Sequence, residues 1–438
     1  MTSTSATTTV ARDDLELICD GLTFPNSLTF DVQGNAFIGE SGVPFYDGAP
    51  SAAVLRIAMD GSREYVAQDL GRPLNGTTWF DGGLFISVGD DPGQIICIAE
   101  DGARTTIVNN LPGPGNYHIN MVAFGPDGKL YFSQGAMSNL GIVGLDAYEL
   151  GWLMRLPHAH DVPGLDIELA GFNAETEDPF GEEGSTVATG AFCNFGEVAK
   201  PGTRVKGSIP CSSAVMRCNP DGSDLELVAW GIRNAYGLGF LPDGRLIATD
   251  QSSDDRGSRA IGNVPELLFE VKQGCWYGWP DFVGGRPVTD KRFKASRGGP
   301  LEFVLANHDE LPTPERGLLE FPSHSSAVKF DVAPDSCGAM AGQMFVALFG
   351  DERPMTAPVG PRAGRAVVRV DPSDWSIHEL FDGPRHRPID LRFHPTTGDL
   401  YILDFGDFEM TEDNEILSEP RSGSLWRIAS DRLVALAV

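Results

Sequence analysis

Six stretches of the chain alternate apolar residues with small or polar ones, break at a turn, and resume the alternation. They read NSLTFDVQGNAFIGESG from Asn26, NGTTWFDGGLFISVGDD from Asn75 and NMVAFGPDGKLYFSQGA from Asn120. YGLGFLPDGRLIATDQS from Tyr236, SAVKFDVAPDSCGAMAGQMFVALFG from Ser326 and IDLRFHPTTGDLYILDFG from Ile389 complete the set. A period of two is the signature of a half-buried strand, and turns such as Pro126-Asp127-Gly128 supply the positive φ of a hairpin. Each copy is followed by a second hairpin pattern, as in VLRIAMDGSREYVAQDL from Val54 and IICIAEDGARTTIVNNL from Ile95; ELLFEVKQGCWYGW from Glu266 reads as a weaker version. Two hairpins make a four-stranded antiparallel sheet. Six such sheets arranged radially predict an all-β, six-bladed β-propeller.

The ring must also close. Residues DLELICDGL from Asp14 resemble the outer strand SDLELVAWGI from Ser223, so an N-terminal strand is expected to complete the last blade beside Leu425–Ile428. The expected organisation is a flexible N-terminus at 1–13 and a single propeller domain at 14–438. Lid insertions are expected at about 137–213 and 280–323, the second between blade four and blade five. Shorter ones follow at Asp351–Gly364 and Asp407–Ser422. All of them are expected over one mouth of the central tunnel, and loops on a rigid scaffold are where function usually sits.

Composition narrows the classes. Gly 52 and Pro 31 suit many turns, and 33 basic against 61 acidic residues leave a net charge of −28. That charge argues against nucleic-acid binding. No apolar run is long enough to span a membrane, and no signal-peptide pattern opens the sequence. The expectation is a cytoplasmic protein, or a periplasmic or secreted one if a signal has been removed, acting on a small oxygenated molecule. The oligomeric state stays open. Seven cysteines without a CxxC pair read as free thiols, with Cys193 to Cys211 as the conceivable bridge.

Counting back from each inner-strand aromatic places Asn26, Asn75, Asn120, Tyr236 and Ser326 at one offset, and His118, Asn234, His324 and Arg387 two residues earlier. Period two points both sets at the tunnel mouth. Second strands return Glu40, Gln134, Asp250 and Asp404 to the same place. The HxH at His158 and His160, beside Asp161, reads as a surface loop before a metal site, and GGRPVTDKRFK from Gly284 reads as a solvated basic lid.

GIRNAYGLGFLPDGRL, followed by QGCWYGWPDF, resembles the glucose/sorbosone dehydrogenase family of six-bladed propellers, the soluble quinoprotein sugar dehydrogenase relatives. The resemblance runs from about residue 20 to the end. It implies a sugar or polyol oxidoreductase with pyrroloquinoline quinone as cofactor. His118 would be the general base, Arg233 with Asn234 would contact the quinone, and Arg365 and Arg387 are the candidates for its anionic groups. His118 stands in HINMVAF, where the family has His-x-x-Gly-x-Arg-Leu. The candidate catalytic set is His118, Arg233 and His324, and the candidate cofactor-binding set is Asn120, Asn234, Tyr236, Arg365 and Arg387. A second resemblance, to gluconolactonase/regucalcin-like propellers, implies a divalent cation such as calcium, with Asn26, Asn75, Glu40, Asp250 and Asp404 as its candidate ligands. It would make the chain a metal-dependent hydrolase or lactonase, a lyase or an isomerase. A non-catalytic binding propeller is the third expectation.

Overall fold

The structure is a computed structural model that describes residues 14–41, 50–113, 115–296, 299–354, 356–357, 362–382, 387–411 and 416–435. The flexible segment expected at 1–13 lies outside these residues.

The alternating stretches form six antiparallel sheets around an axis. Blade one is Pro25–Phe30, Ala36–Glu40, Ala52–Ile57 and Arg63–Leu70, and blade two is Leu74–Phe80, Gly83–Val88, Gly93–Ala99 and Arg104–Leu111. Blade three is Ile119–Phe124, Leu130–Gln134, Ala214–Cys218 and Glu226–Trp230. Blade four is Ala235–Phe240, Leu246–Asp250, Glu266–Glu270 and Leu319–Phe321. Blade five is Ala327–Val332, Met344–Leu348, Ala366–Asp371 and Ser376–Asp382. Blade six combines Pro388–Phe393, Leu400–Asp404 and Gly423–Ile428 with the N-terminal strand Glu16–Leu22. That strand pairs antiparallel with Gly423–Ile428, and Cys19 and Leu22 are buried beneath it. The ring closes as the sequence implies.

The faces between blades carry the core. Ile38, Val54, Leu74 and Ile86 are fully buried, so the apolar half of each alternation is what glues blade to blade. Near the axis the inner strands approach so closely that a side chain has no room. A Cβ on Gly76 would lie 2.5 Å from the Asn120 carbonyl, and one on Gly237 2.5 Å from the Val328 carbonyl.

One part of the sequence reading needs correction. The segment around Cys275–Trp276 is not an outer strand of blade four. It crosses to blade three and pairs parallel with Glu226–Trp230, as a fifth strand. Trp276 stacks on Trp230 there, with centroids 6.3 Å apart. The fourth strand of blade four is Leu319–Phe321, so the long insertion lies inside blade four, after its third strand. It climbs the edge of blade three to the same mouth as the first insertion, where Trp279 donates to the Asn139 carbonyl and Ala170 to the Val304 carbonyl. All seven cysteines are free. Among the described residues no helix is long and apolar enough to cross a membrane.

Candidate functional site

Every inner strand slips register near its start, between Pro25 and Ser27, Leu74 and Gly76, Ile119 and Val122, and equivalently in blades four to six. Such a bulge re-aims the side chains beside it. Here it turns amides onto the axis, where they join hand to hand. Asn26 donates to Asn75 at 2.7 Å, Asn75 to Asn120 at 3.4 Å and to the Ile119 carbonyl at 2.9 Å. Asn120 donates to Asn234 at 2.7 Å, Asn234 to Gln251 at 2.6 Å, and Gln251 to the Ser326 hydroxyl at 2.6 Å. The Tyr236 hydroxyl donates to the Asn26 side chain at 2.7 Å. Beneath them Lys329 donates to the Asn26 carbonyl and sits 3.9 Å from Asp390; burial pulls its ammonium down to about 7. This amide arc satisfies buried polar groups that would otherwise be costly.

Above the arc lies a cavity of about 210 Å³. Its lining includes the polar side chains His118, Tyr236, Arg256 and Glu352 and the apolar side chains Ile389, Ile416, Phe349, Phe405 and Phe408, the last three in contact with one another. Leu150, from the first insertion, closes over it. Burial drives the His118 imidazole down to about 3, so it is neutral at ordinary pH. Burial also pushes the Glu352 carboxyl up to about 7, against the opposing pull of Arg387. Tyr117, which also lines the cavity, receives both Arg233 and Arg256, the latter at 2.8 Å. Asp254 pairs with Arg233 at 2.9 Å and with Arg256 at 3.3 Å. Burial would raise the Asp254 carboxyl, but the two arginines and His324 hold it below the usual range.

The structure therefore brings His118, Asn120, Asn234, Tyr236, Asn26 and Asn75 to one cavity. Arg233 is not on its surface. It stacks on Tyr117, 4.2 Å from ring centroid, and donates to Asn139, Gln251 and Asp254. His324 is held beside Asp254 at 3.8 Å by a backbone at φ +62. Arg387 is sandwiched over Phe349 and Phe408, at 4.8 and 5.3 Å, and with Arg365 it lines a neighbouring cavity of about 270 Å³.

The three carboxylates expected as metal ligands do not join Asn26 and Asn75. Glu40 accepts from the Thr23 amide at 2.6 Å, Asp250 from the Asn234 amide at 2.8 Å, and Asp404 from the Arg387 amide at 3.2 Å. Each one ties down the chain entering its inner strand, and Glu40 faces a different cavity, with Tyr65. Among the described residues no group of three or more His, Cys, Asp or Glu side chains has the geometry to hold a metal. In the HxH loop, Asp161 is buried on the Met137 and Ser138 amides and the Ser212 hydroxyl.

A quinone bearing several carboxylates asks for cations turned toward it. Among the described residues this cavity offers one, Arg256, whose charge Asp146 and Asp254 already offset; Arg233 stands behind Tyr117, and Arg365 is bound to Glu409 in the next cavity. Glu352 adds a carboxyl to the same space. The described residues do not fit pyrroloquinoline quinone.

No family model matches the chain, and no curated protein matches it in sequence. Solved structures do match. The holo form of the pyranose dehydrogenase PQQ domain from Coprinopsis cinerea aligns at a TM-score of 0.55 and 14% identity, over 95% of this chain and 95% of its own. A glucose dehydrogenase structure gives 0.55 and 14%, over 95% and 99%. The apo soluble aldose sugar dehydrogenase from Escherichia coli gives 0.51 and 13%, over 94% and 98%. The chain shares its six-bladed propeller fold with these sugar dehydrogenase domains.

Proposed function

We propose that the cavity binds a small, uncharged, polyhydroxylated molecule and moves a proton to or from it. Glu352 takes and returns the proton, and neutral His118 hydrogen-bonds the substrate. One observation carries this reading: Glu352, with its carboxyl near 7, faces the same cavity as His118, Tyr236 and the amide arc. A general base works best when its pKa lies near the operating pH. A lining of both polar and aromatic side chains suits a ring with hydroxyls on its edge and C–H bonds on its face. The paired charges around Arg256 favour a neutral ligand. Turnover of a panel of sugars, polyols and sugar lactones tests it. Glu352→Gln is expected to lower the rate at least about 100-fold, and the wild-type rate should rise with pH through an apparent pKa near 7. An undiminished variant, or a rate flat across that range, rejects the reading.

The second reading is quinone-dependent oxidation of a sugar or polyol. The fold shared with the holo pyranose dehydrogenase PQQ domain and the place of His118 and Asn234 in the cavity favour it, and the shortage of cations among the described lining residues opposes it. Titration with pyrroloquinoline quinone and calcium separates the two. A bound chromophore with dye-linked sugar oxidation would replace the proton-transfer reading, and no binding would retire the quinone.

A further inference from the structure

Arg256 is the one arginine among the described residues that line the cavity. Its side chain is 4% exposed and is clamped from behind. Nε donates to Asp254 at 3.3 Å, Nη1 to Asp146 at 3.1 Å and Nη2 to Tyr117 at 2.8 Å. A guanidinium carries five N–H donors, and these bonds use three of them, on a side chain that borders the cavity. The clamp is itself fixed: Asn116 donates to Asp146 at 2.7 Å, and Trp152 donates to Asn116 at 2.8 Å. The Tyr117 hydroxyl donates to Asp254 at 3.1 Å, so it aims Arg256 and has no proton to offer the substrate. The result is a rigidly held guanidinium at the border of a space that Glu352 also lines.

Donors held this way act most strongly on an oxygen that gains negative charge during reaction. A resting carboxylate or phosphate is a poor match, because Asp146 and Asp254 already offset Arg233 and Arg256, and Glu352 would repel it. A hydroxyl oxygen gains such charge only when its own proton is taken. A carbonyl oxygen does, when a proton leaves the carbon beside it.

We propose that Arg256 is a catalytic residue that takes the carbonyl oxygen of the substrate. The substrate class is then an aldose or ketose, and the reaction is proton transfer at the carbon next to the carbonyl. The inference rests on the role given to Glu352. The Glu352 carboxylate takes the proton from that C–H bond. The bonding pair becomes the C=C of an enediolate, and the carbonyl π pair moves to the oxygen held by Arg256. Glu352 returns the proton to the former carbonyl carbon, while the neighbouring hydroxyl proton passes to the enediolate oxygen. An aldose becomes a ketose or the reverse, with no external oxidant or reductant.

Wild-type protein incubated with three- to six-carbon aldoses and ketoses in D₂O, followed by NMR, should exchange the C–H beside the carbonyl in at least one sugar. Arg256→Gln should slow that exchange at least about 100-fold, through kcat more than KM. Guanidinium ion should restore part of the rate in Arg256→Ala, an effect a misfolded variant would not show. Exchange unaltered by Arg256→Gln, or no exchange in any carbonyl sugar while polyols or lactones are turned over, overturns the proposal. Exchange that survives Glu352→Gln but not Arg256→Gln overturns the base and keeps the electrophile.

Discussion

Two side chains in the cavity are held far from their usual protonation, in opposite senses. Glu352 is raised from 4.5 to about 7, so the folded state binds its proton more tightly than the unfolded chain does. The cost of ionising it in place grows as pH rises from about 4.5 to 7 and is constant above. Glu352→Gln removes that term. The wild type is expected to lose on the order of 2 kcal/mol relative to the variant over this range, a full shift being discounted for partial exposure. Denaturant unfolding at pH 5 and pH 7.5 checks it. His118 is lowered from 6.5 to about 3, so its cost appears on the acid side. Its imidazole should show no NMR titration between pH 5 and 8, and His118→Gln should blunt the loss of stability below pH 6.5. His118, Asn120 and Asn234 were legible in the sequence because they recur at fixed offsets from a strand aromatic. Glu352 in ALFGDERP and Arg256 in SSDDRGS were not, because each stands in a second-to-third-strand loop whose sequence does not repeat from blade to blade.

Among the elements, alternation was right for the amide arc and only partly right two residues earlier. Period two correctly gathers Asn26, Asn75 and Asn120, and His118 and Asn234 also reach the cavity, whereas His324 stands beside Asp254 on a backbone at φ +62 and Arg387 stacks on Phe349 and Phe408 at the next cavity. The Cys275–Trp276 strand was misread for a related reason. Alternation says that a segment is a strand and not which sheet it joins, and here the stacking of Trp276 on Trp230 decides. The insertion that follows is pinned by Asp281, fully buried, which receives Arg259 at 2.8 Å, His308 at 3.0 Å and the Val304 and Leu305 amides. Asp281→Ala would strand the buried Arg259 guanidinium. It is expected to cost about 3–5 kcal/mol, read from the shift in urea midpoint, whereas exchange of exposed Glu64 should stay within about 0.5 kcal/mol.

For the whole molecule, blade number, closure and the crowded mouth were all visible in the repeats, because a propeller writes its architecture as periodic turns and strands. Its charge of −28 is spread over a compact body and repels itself. Raising ionic strength from about 10 to 150 mM should therefore raise the melting temperature, since the Debye length falls from about 30 to 8 Å. A flat response would mean that local pairs already compensate the charge. At the seam of the ring, Leu22 is 1% exposed, and Leu22→Ala should cost about 2–5 kcal/mol in the same unfolding experiment.

The seam has one more implication, for biosynthesis. Glu16 grips Arg427 across 411 positions, so the Glu16–Leu22 strand waits for a partner translated much later. At about 5–20 residues per second that interval is roughly 20–80 s. During it the nascent chain carries an unzipped sheet edge, which invites pairing with neighbouring polysomal chains and makes a chaperone's cover most useful. The cavity draws on residues from Asn26 to Ile416, so it cannot form until that whole span has been made.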